Sequence, residues 1–409
     1  TFLLWYAQEI EGYRTDVRVI NTSLLQTDWY IDQMKRQAYQ STPIPGQLVH
    51  KQYAHGVREA IYYQKRTDNR WNIKDFVNWI TSDDPSTRSS RGAGEYKQDF
   101  YYYPTNKLRI PVNKENVLKS GIVKPEDADK IVDYIDITLP GAIDKARIVM
   151  LDILANNDWK RPIYFTGGSM DSAEYLWMKD YLQLDGLVYK LVPIKTPIDK
   201  NNPYDMGRID SELMYNIVKR WTWGNMGKEG IYLDPETRKN SIIFRGNLAR
   251  LTEQLIAEGK TAKASEIIDI AMKNMPIDAY GYYFTLDPFI EGSYKVGKRE
   301  QARAIALQVI KKYQEELNYY THLPAGELNS NAKRIQYCID RYGEVVMLSE
   351  TLDKEFYTAQ WAIFKDKAGL FMGEKELEEY FKGAASQAAL DSLRNTLIDT
   401  TATSDSTEE

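Results

Sequence analysis

The sequence has 409 residues, 43% of them hydrophobic and 27% charged, so it is long enough to bury a sizeable core and to form two domains. Its formal net charge of −5 gives no general attraction to phosphate backbones, which argues against a nucleic-acid partner. A single cysteine, Cys338, excludes an internal disulfide framework and a cysteine-based zinc cluster. We interpret Cys338 as a small buried side chain and not as a nucleophile.

The first forty residues predict a helix, a strand and a second helix. Apolar residues recur at helical spacing over residues 2–12, and a β-branched run at 17–20 favours a strand. The second helix opens at Thr27 or Asp28, either of which is a good cap. Such an alternation is typical of an α/β layer. Because the chain opens inside the first helix with no cap before it, we expect that further chain precedes Thr1 in the native protein.

The stretch from residue 41 to residue 200 is less regular. Proline and glycine punctuate residues 41–104, which therefore read as a long irregular region around one helix at 73–80. Further helices are predicted at 124–135, 142–154 and 171–182, and short strands at 108–112, 161–166 and 187–193.

Beyond about residue 240 the strand patterns vanish and helical periodicity continues to the end. Gly259-Lys260 recurs 38 residues later as Gly297-Lys298, each followed by small and apolar residues at helical spacing. This period is close to that of helical-hairpin repeats such as the tetratricopeptide repeat. The sequence therefore predicts an α/β domain over residues 1–238, with a mixed or parallel sheet and flanking helices. It further predicts an all-α domain of tetratricopeptide-like (TPR-like) repeats over 239–395 and a disordered tail over 396–409.

Motifs for chemistry are sparse. His50 and His55 lie five residues apart in a loop-like stretch and are more simply read as structural than as ligands, so no metal site and no cofactor are predicted. The turn Gly167-Gly168-Ser169 follows a predicted strand and could offer backbone N–H groups to an anion, although a tight turn without a ligand is the simpler interpretation. Carboxylates such as Asp28 and Asp32 could form a glycosidase pair or could cap helices.

Thirty tyrosines and nine tryptophans are many for this length, and a large share falls near predicted loops. Aromatic rings with polar tips suit sugar or peptide recognition, but they also pack well between layers. The aromatic content therefore leaves both interpretations open.

The opening block carries a family resemblance. The run from Thr1 to Asn21, continued by Thr27-Asp28-Trp29-Tyr30-Ile31-Asp32-Gln33, resembles the bacterial protein O-mannosyltransferase-like membrane glycosyltransferases, formerly a domain of unknown function. Residues 161–165 (Arg-Pro-Ile-Tyr-Phe) also fit, whereas Leu3 stands where that family usually has proline. The resemblance implies a membrane portion before Thr1 and a soluble region on the periplasmic face of the inner membrane. It places the catalytic carboxylate outside this sequence, so no catalytic residue is assigned.

The same resemblance implies candidate residues for an acceptor groove or for the seam with the membrane portion. They are Trp5, Gln8, Glu9, Arg14, Asp16, Asn21, Asp28, Trp29 and Tyr30. The alternative is that they hold the first elements together. The leading hypothesis is a non-catalytic region that positions a protein or glycan acceptor, with its own membrane portion as a partner. A TPR-like protein-interaction module without sugar chemistry, and a soluble carbohydrate hydrolase, are the two alternatives.

Overall fold

The computed structural model describes residues 2–92, 98–166, 176–198 and 206–383. The chain divides into two compact units. The first comprises Thr1–Gln183 and Tyr189–Pro197, and the second comprises Leu184–Val188 and Ile198–Glu409. The turn Gly167-Gly168-Ser169 and the tail over 396–409 lie outside the described residues.

Helices and strands alternate irregularly through residue 191. In chain order they are α1 Phe2–Glu9, α2 Asp28–Met34, α3 His50–Tyr53, β1 Ala60–Tyr63, β2 Trp71–Asn72, α4 Ile73–Thr81, β3 Arg88–Arg91, β4 Gln98–Tyr103, β5 Lys107–Pro111, α5 Lys114–Lys119, β6 Tyr134–Thr138, β7 Ala142–Asp144, α6 Lys145–Asn157, β8 Tyr164–Thr166, β9 Leu182–Asp185 and β10 Val188–Leu191. Side-chain caps set two helix starts, because Asn72 accepts the Lys74 N–H and Asp144 accepts the Arg147 N–H.

The described strands form three small sheets, in the orders β3-β4-β1-β7, β2-β5-β6 and β8-β10-β9, of which the first two are mixed. Strand β1 runs parallel to β4 and antiparallel to β7. In the β5–β6 pair, alternate residues such as Leu108 and Ile137 face each other and are buried. The prediction of a mixed sheet with flanking helices is confirmed, with the difference that the strands are divided among three sheets.

The core of the first unit forms where α4 and α6 pack together. Phe76 of α4 and Leu151 of α6 are fully buried there, with Tyr103 of β4 beside them. Asp152 on α6 is buried and accepts the backbone N–H groups of Gln47 and Leu48. Its carboxylate therefore ties an irregular segment to the core.

Several predicted elements were wrong. Residues 17–20 form no strand, because the groups that a ladder would pair are bound elsewhere: the Gln8 amide donates to the Val17 carbonyl. The region 41–104 holds strands as well as its helix, and 124–135 gives a short 3-10 turn, Pro125–Lys130, followed by the start of β6. The helix expected at 142–154 begins three residues later, because residues 142–144 pair as β7 with β1.

The second half is helical from residue 211 to residue 383. Its helices are α7 Ser211–Val218, α8 Pro235–Ala257, α9 Thr261–Asn274, α10 Ile277–Tyr280, α11 Asp287–Lys295, α12 Arg299–Tyr320, α13 Ala325–Ser330, α14 Ala332–Met347, α15 Lys354–Ala368 and α16 Glu374–Gly383. No helix among the described residues is long and apolar enough to cross a bilayer.

The two Gly-Lys turns behave as the repeat predicts. Gly259 and Gly297 both have left-handed backbones, with φ of 73° and 81°, so the chain reverses between α8 and α9 and between α11 and α12. Apolar residues of α9 and α12 such as Ile267 and Val309 are buried. The helical C-terminal region is thus confirmed, while its assignment to TPR-like repeats and the boundary at residue 238 stay predictions.

Cys338 lies fully buried on α14, where burial raises the pKa of its thiol well above the usual range. A thiol held in this form is a poor nucleophile. The geometry therefore agrees with the interpretation of Cys338 as a packing residue.

Two glycines on different helices of the second unit give opposite predictions for stability. A methyl group on Gly343 of α14 would collide with the ring of Phe381, which packs against Trp361 and Phe364. We expect Gly343→Ala to lower the free energy of unfolding by about 1–3 kcal/mol through overpacking. A Cβ on Gly246 of α8 meets nothing within 4 Å. Gly246→Ala is therefore expected to raise the free energy of unfolding by about 0.5–1 kcal/mol. Urea unfolding of both variants measures the two changes.

Candidate functional site

Three residues of the opening motif tie the N-terminal segment to itself. The Gln8 amide donates to the carbonyls of Arg14 and Val17 at 2.9 and 2.8 Å. Arg14 binds Asp16 through two hydrogen bonds of 2.8 and 2.9 Å, which hold the pKa of the Asp16 carboxyl below its usual value. These side chains shape the turn after α1.

Glu9 and Trp5 lie on α1. The Tyr39 hydroxyl donates to Glu9, which anchors the end of the helix to a later segment. Trp5 is half-buried and packs its ring edge-on against Phe2. Neither residue joins a group of other polar motif residues.

Asn21 and Tyr30 fix the entry to α2. The buried Tyr30 hydroxyl accepts the Asn21 backbone N–H at 2.9 Å, and the Asn21 side-chain oxygen accepts the Leu24 N–H at 3.3 Å. Burial raises the pKa of Tyr30, which keeps the hydroxyl neutral. This contact sets the orientation of α2 and of the residues that it carries.

The remaining motif residues, Asp28 and Trp29, belong to a group that we call the α2 cluster. It consists of Asp28, Trp29 and Asp32 from α2 with His50 and Tyr53 from α3. Asp28 and Asp32 lie one helical turn apart, and Trp29 lies three residues before Asp32, which places these two side chains next to each other on the helix surface. The two short helices are joined through Asp32.

The Asp32 carboxylate accepts hydrogen bonds from the two α3 members of the cluster, His50 and Tyr53. The Tyr53 hydroxyl donates to Oδ1 at 2.7 Å, and His50 Nδ1 lies 2.9 Å from Oδ2. The Tyr53 hydrogen bond, with a further contribution from His50, lowers the pKa of the Asp32 carboxyl. Since an ionised carboxylate only accepts, Nδ1 of His50 carries the proton and a neutral imidazole keeps its acceptor at Nε2. Asp32 therefore orients His50, and the His50 ring is largely exposed.

Asp28 acts at the start of α2. Its carboxylate accepts the Trp29 N–H at 2.7 Å and the His55 backbone N–H at 3.1 Å. These two hydrogen bonds, with that of Trp29 the stronger, lower the pKa of Asp28. Asp28 is therefore ionised and connects α2 to the loop that follows α3.

Two buried cations support this loop from below. Lys145 donates to Glu59 at 2.6 Å and to the Ala54 carbonyl at 3.3 Å. Arg58 donates to the Gln52 carbonyl of α3 at 3.2 Å and to the end of α4. These contacts fix the loop between α3 and β1, which includes His55, to the end of α3, to the start of α6 and to the end of α4.

Trp29 is 56% exposed, with its ring edge-on to Tyr30 at 5.6 Å between centroids. An indole this exposed loses hydrophobic stabilisation unless something covers it. Hydrogen bonds lower the pKa values of the nearby carboxyls of Asp28 and Asp32, while Lys35, Arg36 and Lys145 lie close enough to the cluster to balance their charge. The α2 cluster therefore offers an apolar ring surrounded by hydrogen-bond acceptors.

The sequence pointed to only part of this site. Asp28 and Trp29 were candidates, whereas the roles of Tyr53, Glu59 and Lys145 were missed because they come from distant positions. His50 and His55 were interpreted as structural residues, and the sequence did not predict that the His50 side chain would pair with Asp32. The one feature of the sequence that could have indicated this cluster was the four-residue spacing of Asp28 and Asp32 on a predicted helix. Within the described ranges, no three His, Cys, Asp or Glu side chains are grouped to hold a metal ion.

Comparisons with known proteins give one match. The family model described as TMEM260-associated domain 2 matches residues 1–213, slightly more than half of the chain. No curated protein and no solved structure matches.

Proposed function

The chain belongs to the family of the TMEM260-associated domain 2, and from this premise we propose that it is an accessory region of a membrane-embedded, glycosyltransferase-like protein. In this proposal the region lies on the periplasmic face of the inner membrane and positions or recognises a protein or glycan acceptor. Its partner is the membrane portion of the same protein, which carries out the sugar transfer. The region itself is non-catalytic.

The observation that carries the proposal is the exposed Trp29 beside oriented polar groups. An indole face stacks on the apolar side of a sugar ring, and carboxylates accept hydrogen bonds from its hydroxyl groups. Asp32 holds His50 so that a neutral imidazole presents a further acceptor at Nε2. The α2 cluster therefore suits a ligand that donates many hydrogen bonds.

The available hydrogen-bonding groups distinguish an acceptor from a sugar donor at this site. Lipid-linked and nucleotide-linked donors carry phosphate, which binds arginine clusters and free backbone N–H groups. In the α2 cluster the N–H groups of Trp29 and His55 already donate to Asp28. Asp28 and Asp32 offer acceptor oxygens, to which a hydroxyl group can donate and an ionised phosphate cannot. An uncharged, hydroxyl-rich acceptor fits better than a phosphorylated donor.

We expect Trp29→Ala to weaken acceptor binding about tenfold, because stacking on an indole contributes on the order of 1 kcal/mol beyond area burial. The probes are methyl α-D-mannoside and a threonine-rich peptide, titrated into the chain and followed by saturation-transfer NMR. Trp29→Tyr, which keeps an aromatic face, should retain most of the binding.

Tyr232→Ala is the matched control, since Tyr232 is an exposed aromatic residue of the second unit. It should bind both probes like the wild type. If wild-type protein binds neither probe at millimolar concentration, or if Trp29→Ala binds as tightly as wild type, the α2 cluster is not an acceptor site.

A second candidate function is protein binding by TPR-like helix pairs. The repeated left-handed turns at Gly259 and Gly297 favour it, as do the exposed apolar side chains Leu307 and Ile363 on α12 and α15. A photo-crosslinker at position 307 in native membranes should then give one discrete product. The absence of any product from positions 307 and 363 would remove this candidate.

A further inference from the structure

Helix α1 shows apolar side chains at the spacing of a buried face, yet it buries no residue. Leu3, Tyr6 and Ile10 follow one another at intervals of three and four residues, and Tyr13 comes after the chain turns at Gly12; in that order the four side chains are 86%, 55%, 69% and 68% exposed. We call these four residues the apolar stripe. Periodic positions of this kind normally pack against a core. A stripe left in solvent marks a surface that another phase or molecule covers.

The polar side of α1 is occupied by contacts within the same segment. Gln8 donates to the carbonyls of Arg14 and Val17, and Glu9 accepts from the Tyr39 hydroxyl. The Tyr13 N–H donates to the Ala7 carbonyl, and Gly12, with φ of 62°, allows the chain to turn there. These contacts fix which side of the helix faces outward, so the stripe cannot turn inward without breaking them.

We propose that the apolar stripe docks on a lipid surface, with Leu3 and Ile10 in the acyl boundary and the tyrosine rings at the level of the headgroups. Tyrosine combines an apolar body with a polar tip and concentrates at bilayer interfaces, and the stripe contributes Tyr6 and Tyr13. The proposal rests on the proposed function only in placing the chain beside a membrane.

A second copy of the chain is a poorer occupant. A stable dimer buries about 1,200–2,000 Å² with roughly 20–30 residues from each partner. Helix α1 has eight residues and the stripe has four, so an interface formed by the stripe alone is too small. Partition into a bilayer needs only a few large apolar side chains, because each buried one contributes about 1.5–3 kcal/mol.

The charges around α1 predict which lipids support docking. Glu9, Glu11 and Asp16 outnumber Arg14 and Arg18, and residues 2–8 carry no charge. The segment therefore has no electrostatic attraction to anionic lipids. We expect docking on neutral phosphatidylcholine to be as strong as on membranes that contain phosphatidylserine, and to persist at high salt.

Flotation of the chain with phosphatidylcholine vesicles tests the proposal. Leu3→Asp should lower the partition coefficient at least about tenfold, because a charge replaces the most exposed apolar side chain of the stripe. Leu370→Asp is the matched control: Leu370 is 68% exposed but lies in the second unit, so its replacement should leave flotation unchanged. Circular dichroism of both variants checks that the fold is retained.

Three results would overturn the lipid assignment. They are absence of flotation in the wild type, equal flotation of Leu3→Asp and wild type, and flotation only with phosphatidylserine at low salt. A Leu3-dependent dimer in analytical ultracentrifugation would assign the stripe to a second copy, and a Leu3-dependent crosslink to a protein in native membranes would assign it to that protein. The two proposals are tested separately by exchanging the variants. If both hold, Leu3→Asp still binds the sugar probe, and Trp29→Ala still floats with the vesicles.

Discussion

Replacing Asp353 with alanine is expected to lower the free energy of unfolding of the helical unit by about 2–4 kcal/mol, because the charge-assisted hydrogen bonds of a buried carboxylate and a helix cap are lost together. Urea unfolding followed by far-ultraviolet circular dichroism measures the change. A loss of this size would remove a large fraction of the stability of an ordinary domain.

The geometry around Asp353 explains the size of the effect. Its side chain is 0% exposed and receives two hydrogen bonds each from Arg299 and Arg303 on α12, at 2.5–2.9 Å. The Tyr294 hydroxyl also donates to it at 3.3 Å, and the carboxylate caps α15 by accepting the Phe356 N–H. One carboxylate thus joins three helices, and its loss leaves two guanidinium groups facing each other.

Acid should have the same effect as the substitution. The two arginines, Arg303 first, hold the pKa of Asp353 well below its usual range. A carboxyl with a lowered folded-state pKa contributes stability that is present above its unfolded pKa of about 3.9 and is lost as the pH falls toward the folded value. Wild-type stability should therefore decline below about pH 5 more steeply than that of Asp353→Asn.

Glu355→Ala is the control for this prediction. Glu355 also binds Arg303, at 2.9 Å, but its side chain is 81% exposed, so water replaces the lost contact. Its removal should leave both the urea midpoint and the acid profile nearly unchanged. Equal losses in Asp353→Ala and Glu355→Ala would contradict the assignment of the stabilisation to burial of Asp353.

The sequence predicted the helical half well because each amphipathic helix carries its own signal. Helical spacing was predicted after Gly259-Lys260 and after Gly297-Lys298, and the structure has the helices Thr261–Asn274 and Arg299–Tyr320 there. Strands depend on partners that local pattern cannot identify. The run at 17–20 has β-branched residues but no strand beside it, whereas β1 and β4 form inside a region that appeared irregular because each supplies the other's partner.

The candidate site shows the same limit. The α2 positions were recognisable because they are adjacent in the sequence, and their resemblance to a family marked them. Lys145 and Glu59 reach the site from 86 residues apart, and no local pattern predicts that contact. Burial of Lys145 follows from the start of α6 at this point, which in turn depends on the pairing of β7 with β1.

Arg58→Ala is expected to cost about 3–5 kcal/mol of unfolding free energy in the first unit, because several buried carbonyl groups lose their donor at once. The Arg58 guanidinium, itself buried, donates to the carbonyls of Ile80, Thr81 and Ser82 where α4 ends, at 2.8–3.0 Å. Its planar group also lies over the Tyr101 ring at 4.2 Å. Lysine cannot form this fork of hydrogen bonds, so Arg58→Lys should lose most of the same stability.

The consequence reaches the α2 cluster, because Arg58 also donates to the Gln52 carbonyl in the helix that carries His50 and Tyr53. Arg58 is thus a positioning residue, and a variant that still folds at low temperature should bind the acceptor probes more weakly. Arg66→Ala, which removes an exposed arginine, should change neither stability nor binding. If Arg58→Ala lost stability but kept full affinity for the probes, Arg58 would not position α3, and the contacts with Asp32 alone would hold this helix in place.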